Sequence, residues 1–112
     1  VRAQEDAEAT KIVEDAKTLE KAGVFALVLE KVPANLAKEI ANSISIPVIG
    51  IGAGNGCDGQ VLVSHDMFGM THEFSPRFLR RYLNLYEDMK NAVNQYCLDV
   101  QMGDFPNNKE QY

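Results

Sequence analysis

The sequence has little positive charge, and it has no apolar run long enough to span a membrane. Its 112 residues carry 11 Lys and Arg against 16 Asp and Glu, which gives a formal net charge of −5. The basic residues form no cluster, whereas nucleic-acid surfaces depend on clustered Lys and Arg that neutralise phosphates. A transmembrane helix needs about 20 consecutive apolar residues. We therefore expect neither a nucleic-acid partner nor a membrane-spanning protein.

Cysteine is scarce, and the first residues are polar and acidic. The two cysteines, Cys57 and Cys97, lie far apart in sequence, which favours free thiols in a reducing compartment over a disulfide or a pair of metal ligands. The opening stretch VRAQEDAEATK is unlike a signal or transit peptide. A cytoplasmic protein is the expectation, and the 46% of apolar residues are enough for the core of one small domain.

Apolar periodicity predicts an alternation of helices and buried strands. Ile12 and Ala16 fall on one face of a first helix, and Gly23 is suited to end it. The apolar run VFALVLE, residues 24–30, has no alternation and predicts a strand covered on both faces. The other predicted elements are a helix opened by Pro33, strands within 45–54 and 60–63, and a long helix or pair of helices from Phe78 to Val100.

The predicted order is helix, strand, helix, strand, strand and long helix, which indicates an α/β protein with a parallel sheet and right-handed crossovers. Three strands do not complete such a sheet, because both faces need cover and both edges stay open. The chain is therefore predicted to be part of a larger α/β fold. In this hypothesis residues 1–112 are one portion of a single domain.

Glu30 ends the first apolar strand, and this position makes it the leading candidate for chemistry. The carboxyl ends of parallel strands are where the active sites of α/β folds form. Apolar neighbours disfavour a charged carboxylate, which would make Glu30 a better proton acceptor near neutral pH. By position alone a structural role is the simpler interpretation, in which Glu30 interacts with the N-terminus of the helix that Pro33 opens.

Glycines cluster after the second predicted strand. Gly54, Gly56 and Gly59 fit the pattern G-x-G-x-x-G, but a dinucleotide-binding loop would open a helix and precede an acidic residue about 20 positions on. A strand-like segment follows here instead, so we do not expect a dinucleotide. The preferred hypothesis is that Gly50, Gly52 and Gly54 let the backbone approach a ligand or another strand closely, with Gly52 and Gly54 in a loop lining the site. Tight packing alone explains these glycines equally well.

Potential metal ligands and nucleophiles occur, but their spacing is unfavourable. Four potential ligands lie close in sequence, namely His65, Asp66, His72 and Glu73. They lack the helical spacing of a motif such as H-E-x-x-H, so no metal site is predicted in this segment. Hydrogen bonding within a loop is their expected role, with solvent exposure for His72 and Glu73. Cys57 has no histidine that the sequence places as its base.

Several segments together resemble the ketopantoate hydroxymethyltransferase family. LVLEKVP, IPVIGIGAG and CDGQVLV, followed by HD, occur in the family's order and at its spacing, and the ending QMGDFP is similar as well. Several matching segments over nearly the whole chain are more specific than any single motif. The resemblance implies a (β/α)8 TIM barrel, of which this chain supplies the last three strands, the helices around them and the long C-terminal helix or helix pair.

The resemblance also implies a reaction. Members of the family transfer a hydroxymethyl group from methylenetetrahydrofolate to α-ketoisovalerate, while a divalent metal ion, usually Mg²⁺, holds the keto acid. The glutamate of the motif LE-x-VP, here Glu30, is implied to remove the proton next to the carbonyl. The family's metal ligands lie on earlier strands and match nothing here, so this chain alone is expected to bind no metal and to be inactive. The family also implies a homo-oligomer, commonly of ten subunits.

One residue beside the implied base departs from the family. Lys31 stands where members usually carry an uncharged residue. Since adjacent strand residues point to opposite faces, Lys31 is expected to point away from Glu30 and to affect it little.

Two other hypotheses stay open at this point. One is a non-catalytic, truncated piece of a barrel that persists through oligomer contacts. The other is a related carbon–carbon lyase that acts on keto acids. An N-terminal half with two metal-binding acids would favour the transferase over both.

Overall fold

A computed structural model describes residues 4–73 and 75–112, and the chain divides into two units, of which the first ends at Leu62 and the second begins at Val63. The described helices and strands of the first unit are α1 (Asp6–Lys21), β1 (Leu27–Glu30), α2 (Ala34–Ser43), β2 (Val48–Ile51) and β3 (Gly59–Gln60). Those of the second unit are α3 (Ser64–Met67) and α4 (Leu85–Gln101).

Helix α1 forms because small and apolar side chains recur at helical spacing. Ala16 is buried, and Ile12 and Val13 pack against the same core. The helix ends as the sequence predicts, because Gly23 adopts a φ of +96°, a left-handed conformation that glycine tolerates well. The N–H of Gly23 donates to the carbonyl of Glu20 at 3.0 Å, which closes the last turn and directs the chain toward β1.

The strands form a parallel sheet in the order β1-β2-β3. The pairing of β1 with β2 runs from Leu27 opposite Val48 to Glu30 opposite Ile51. Gly50 of β2 lies opposite the last residue of β3. This parallel sheet, with a helix between its first two strands, confirms the predicted α/β class, whereas the complete barrel remains a prediction.

The strands are shorter than the sequence predicts. Residues 24–26 lie outside β1, because β2 begins only after Pro47, whose carbonyl accepts the N–H of Leu27 at 2.9 Å. The third strand covers two residues rather than four. The N–H of Val61 still donates to the carbonyl of Gly50 at 2.9 Å, but β2 ends one residue later. The length of a strand is limited by the length of the strand that it pairs with, and local sequence does not show the length of that partner.

The two faces of the sheet differ in cover. On one face, Leu29 and Val48 are buried against the helices, and Val48 and Ile40 of α2 are the largest fully buried side chains. On the other face, Val28 keeps 64% of its surface exposed. Among the described residues only one face of β1 is covered, because α1 and α2 contribute their side chains to the same core. Cover of the other face stays a prediction for the complete fold.

The C-terminal helix starts later than the sequence predicts. Helix α4 begins at Leu85, and its 17 residues span about 25 Å rather than the about 35 Å expected for a helix from Phe78 to Val100. The N–H of Tyr82 donates instead to the carbonyl of Met67 at 2.7 Å, and that of Leu85 to the carbonyl of Phe68 at 3.0 Å. These bonds tie the preceding segment to the end of α3, a short helix in a stretch predicted to be irregular. The N–H groups of the segment before α4 therefore form tertiary hydrogen bonds instead of helical ones.

The apolar side chains of α4 remain on its surface. Met89, Val93 and Tyr96 lie at steps of four and three residues and are all exposed within the described residues. After the helix, Gly103 adopts a φ of +73°, a left-handed conformation that is common where helices end. The ring of Phe105 then packs edge-on against Tyr96, with ring centroids 5.5 Å apart. In the described part of the chain, no helix has the length and apolar character needed to cross a membrane.

Candidate functional site

Glu30 is the last residue of β1 and stands at the carboxyl edge of the parallel sheet. Its Cα lies opposite that of Ile51, and alternation along the strand places its side chain on the same open face as Val28. Among the described residues, the Glu30 carboxylate forms no hydrogen bond or ion pair. Its alternative role, an interaction with the N-terminus of α2, stays a hypothesis. The side chain is exposed, and the apolar enclosure that the sequence predicted is not supplied by these residues.

Lys31 does not continue the strand. It has a φ of +52°, a left-handed conformation that costs a residue with a Cβ about 1–2 kcal/mol. Its N–H donates to the carbonyl of Ile51 at 2.9 Å, and the next residue, Val32, is buried in the core. The sequence-based argument that Lys31 and Glu30 point to opposite faces assumed extended backbone, so it does not apply here. Lys31 instead turns the chain from β1 into α2.

The glycine loop, residues 52–56, begins directly after β2. Gly52 and Gly54 have φ values of +64° and +78°, so both adopt a conformation that favours glycine. A Cβ on Gly54 would lie 2.5 Å from the Cβ of Ala34, the first residue of α2. The backbone of this loop does make a close approach at Gly54, but to helix α2 rather than to a strand. The expected lining of a ligand site by these two glycines stays a prediction.

Two side chains that the sequence analysis did not single out hold this loop. The carboxylate of Asp58 accepts the N–H of Val48 at 2.8 Å, while the Asp58 N–H donates to the Val48 carbonyl at 2.9 Å. The side-chain amide of Gln60 donates to the carbonyl of Gly54 at 2.8 Å. Local sequence gives no sign of these partners, because the side-chain bonds join residues ten and six positions apart.

Cys57 directly follows the glycine loop and packs against the core. Burial raises the pKa of the Cys57 thiol, and the negative charge of Asp58 raises it further. A raised pKa disfavours the thiolate, which is the nucleophilic form. The raised pKa is therefore a further argument against a cysteine nucleophile.

The candidate ligands of the second unit occupy separate local environments. His65 and Asp66 lie in α3, and the His65 carbonyl accepts the N–H of Met70 at 2.9 Å. The ring of His72 stacks on Tyr86 with centroids 4.7 Å apart, and His72 and Glu73 are exposed as predicted. His72 also lines an open cavity of about 560 Å³. Across residues 4–73 and 75–112, no three His, Cys, Asp or Glu side chains lie close enough together to hold a metal ion.

Comparison with known proteins identifies the family of this chain. The sequence profile of the family "Ketopantoate hydroxymethyltransferase" matches residues 1–108. Over all 112 residues the chain is 68% identical to the 3-methyl-2-oxobutanoate hydroxymethyltransferase of Flavobacterium johnsoniae and 66% identical to that of Christiangramia forsetii. It is 63% identical to the protein of the same name from Parabacteroides distasonis. The chain spans 41% of the length of each of these curated relatives. With a match over nearly its whole length, this chain belongs to the ketopantoate hydroxymethyltransferase family.

Proposed function

We propose that the full-length protein carrying this segment transfers a hydroxymethyl group from methylenetetrahydrofolate to α-ketoisovalerate, which is 3-methyl-2-oxobutanoate. The product is ketopantoate, a precursor of pantothenate. In the balanced reaction the keto acid loses the proton on its β-carbon, and that carbon bonds to the one-carbon unit. One water is consumed and tetrahydrofolate leaves. The family match over residues 1–108 and the names of the relatives support this proposal.

The observation that carries the proposal is the place of Glu30. Proton removal next to a ketone needs a base that is held on a rigid element and aimed at one carbon. Glu30 meets this requirement because it ends a paired strand, in register with Ile51, on the open face of the sheet. That face also carries the apolar Val28 and Ile49, whose enclosure would exclude water from the carboxylate. We therefore assign to Glu30 the role of proton acceptor.

In this proposal, β1, β2 and β3 are the last three strands of a (β/α)8 barrel. The open face that carries Val28 then becomes the barrel interior, and the unpaired edge of β1 receives a strand from the rest of the protein. The Mg²⁺ ion expected in the family does not fit the residues described here, because they contain no group of three suitable ligands. We therefore assign no metal contact to this chain and expect the ligands in the remainder of the barrel.

The same proposal covers the activity of the isolated segment, the assembly of subunits and the cellular compartment. The segment alone is expected to be inactive, because it holds the base without a metal site among its described residues. The apolar stripe of Met89, Val93 and Tyr96 supports a homo-oligomer in which α4 contacts a second subunit. The acidic composition and the free cysteines support a cytoplasmic enzyme with small-molecule substrates.

Replacement of the base tests the proposal directly. In the full-length protein, Glu30→Gln keeps the shape of the side chain but removes its ability to accept a proton. Exchange of the keto acid's β-proton for deuterium, followed by NMR, is expected to fall by about 100-fold or more, with keto-acid binding retained. The matched control is Glu39→Gln, an exposed glutamate on α2, which should exchange at the unmodified rate. Unchanged exchange in the Glu30 variant would contradict the assignment.

A further inference from the structure

Gln60 lies at the carboxyl end of β3, and its side chain crosses to the loop that follows β2. Its Cα pairs with that of Gly50, and its amide nitrogen lies 2.8 Å from the carbonyl oxygen of Gly54. Gly50, the partner of Gln60 in the sheet, lies close to Cys57 as well. A Cβ there would stand 3.5 Å from the Gln60 amide nitrogen and 3.0 Å from the Cys57 sulfur. Only the distance to Cys57 is tighter than ordinary contact, so the absence of a side chain at Gly50 accommodates Cys57, while the Gln60 amide would stand at ordinary van der Waals distance.

This contact connects the loop to the strand end that carries the proposed base. Glu30 lies opposite Ile51, and the N–H of Lys31 donates to the Ile51 carbonyl. The glycine loop starts directly after Ile51, and the Gln60 amide donates a hydrogen bond to the Gly54 carbonyl in this loop. Pairing places Gln60 on the helix-covered face with Gly50, whereas Glu30 lies on the open face. Gln60 therefore contacts the loop from the helix-covered face of the sheet and does not reach the open face.

We propose that Gln60 is a positioning residue of the reaction: its amide N–H fixes the Gly54 carbonyl and so keeps the glycine loop in one place beside Glu30 for binding of the keto acid. The inference rests on the proposed function. Because a carbonyl oxygen only accepts hydrogen bonds, the interaction needs a donor at position 60, and glutamine supplies one without a charge. A carboxylate has the same shape as the amide but no donor, and it would repel the carbonyl.

Two substitutions in the full-length protein separate positioning from simple packing. Gln60→Met keeps the length and removes the donor, and we expect the KM for the keto acid to rise about fivefold, as the loss of one hydrogen bond implies, with kcat within about twofold. Gln60→Glu should raise KM more at neutral pH. Its effect should shrink toward acidic pH, because a protonated carboxyl group donates a hydrogen bond again. The Gln60→Met defect should be independent of pH.

The matched control is Gln101→Glu, which makes the same chemical change at an exposed residue that ends α4. All kinetic values are taken as ratios to the unmodified protein at each pH. A KM equal to that of the unmodified protein in both Gln60 variants would overturn the inference, even if their melting temperatures fall. So would a defect in Gln60→Glu that does not change with pH.

A second measurement keeps the inference testable apart from the reaction. Hydrogen exchange of the amides of residues 52–56 should be faster in Gln60→Met than in the unmodified protein and unchanged in Gln101→Glu. If the unmodified protein transfers no hydroxymethyl group, the proposed function fails, and the exchange result alone then decides whether Gln60 holds the loop. Equal exchange in Gln60→Met and the unmodified protein would overturn that role as well.

Discussion

Gly54→Ala tests whether the glycine loop is shaped by contact with α2. Gly54 has a φ of +78°, and an added Cβ would lie 2.5 Å from the Cβ and 3.1 Å from the Cα of Ala34. Real Cβ atoms do not approach other carbons so closely, so either the loop or the start of α2 must move. Because the obstructing atoms belong to a backbone and to a short side chain, no rotamer change relieves the overlap.

The expected cost has two parts. A left-handed conformation costs a residue with a Cβ about 1–2 kcal/mol, of which about 0.4–1 kcal/mol is offset because alanine restricts the unfolded chain. Overpacking that forces a backbone shift adds about 1–3 kcal/mol. Gly23→Ala is the matched control, because Gly23 has a φ of +96° and nothing lies within 4 Å of an added Cβ. The control therefore carries the conformational cost without the overlap.

Thermal unfolding of the two variants in the full-length protein measures the difference. At about 2–4 °C per kcal/mol for a domain of 150–250 residues, Gly54→Ala should melt several degrees below Gly23→Ala. The cost of Gly54→Ala should also be smaller when Ala34→Gly is already present, since that change removes one of the two clashing atoms. Equal melting temperatures for the two glycine variants would refute the argument that α2 confines the loop.

Two further predictions concern a pH-sensitive contact and the surface of α4. The Glu20 carboxylate accepts hydrogen bonds from the N–H of Ser45 at 2.6 Å and from its hydroxyl at 2.9 Å, and the N–H contact contributes most to lowering the pKa of Glu20. Because the pKa is lowered in the folded state, the stabilisation is present above the ordinary carboxyl pKa of about 4.3 and is lost as the pH falls through the lowered value. Glu20→Gln should therefore melt below the unmodified protein at neutral pH, and the gap should close in acid; a gap independent of pH would contradict the charge-based explanation. If α4 contacts a second subunit, Met89→Glu should give a smaller, folded particle by light scattering, since burial of an unpaired carboxylate costs several kcal/mol. An unchanged oligomer that only melts earlier would rule out that interface.

Local pattern was sufficient to predict the order of the main elements. The helical spacing of Ile12 and Ala16, the glycine at position 23 and the apolar run before Glu30 each act within a few residues, and all three predictions agree with the structure. Placement of Glu30 at the carboxyl edge of a parallel sheet followed from the same run. Its implied role as a base came from the family resemblance and stays a proposal.

Features that depend on partners distant in sequence were not predicted. Lys31 was expected to continue the strand, but it adopts a left-handed conformation because the chain must turn from β1 into the buried position of Val32. The apolar stripe from Phe78 suggested a helix, yet the N–H of Tyr82 finds a carbonyl in α3 instead. Periodicity describes which side chains lie together on a helix, and it does not describe which backbone groups have been taken by tertiary hydrogen bonds.

By itself, the sequence indicated the α/β class, the family and the place of Glu30 at the end of a strand, because each depends on residue types at fixed spacing along the chain. Only the tertiary structure decided which face of the sheet the helices cover and which side chains hold the glycine loop. Gln60 and Gly54 are neighbours because β3 pairs beside β2, and this pairing is a consequence of how the strands assemble. Hydrogen bonds across a sheet depend on register, and register is established when a shared core forms rather than by any one segment.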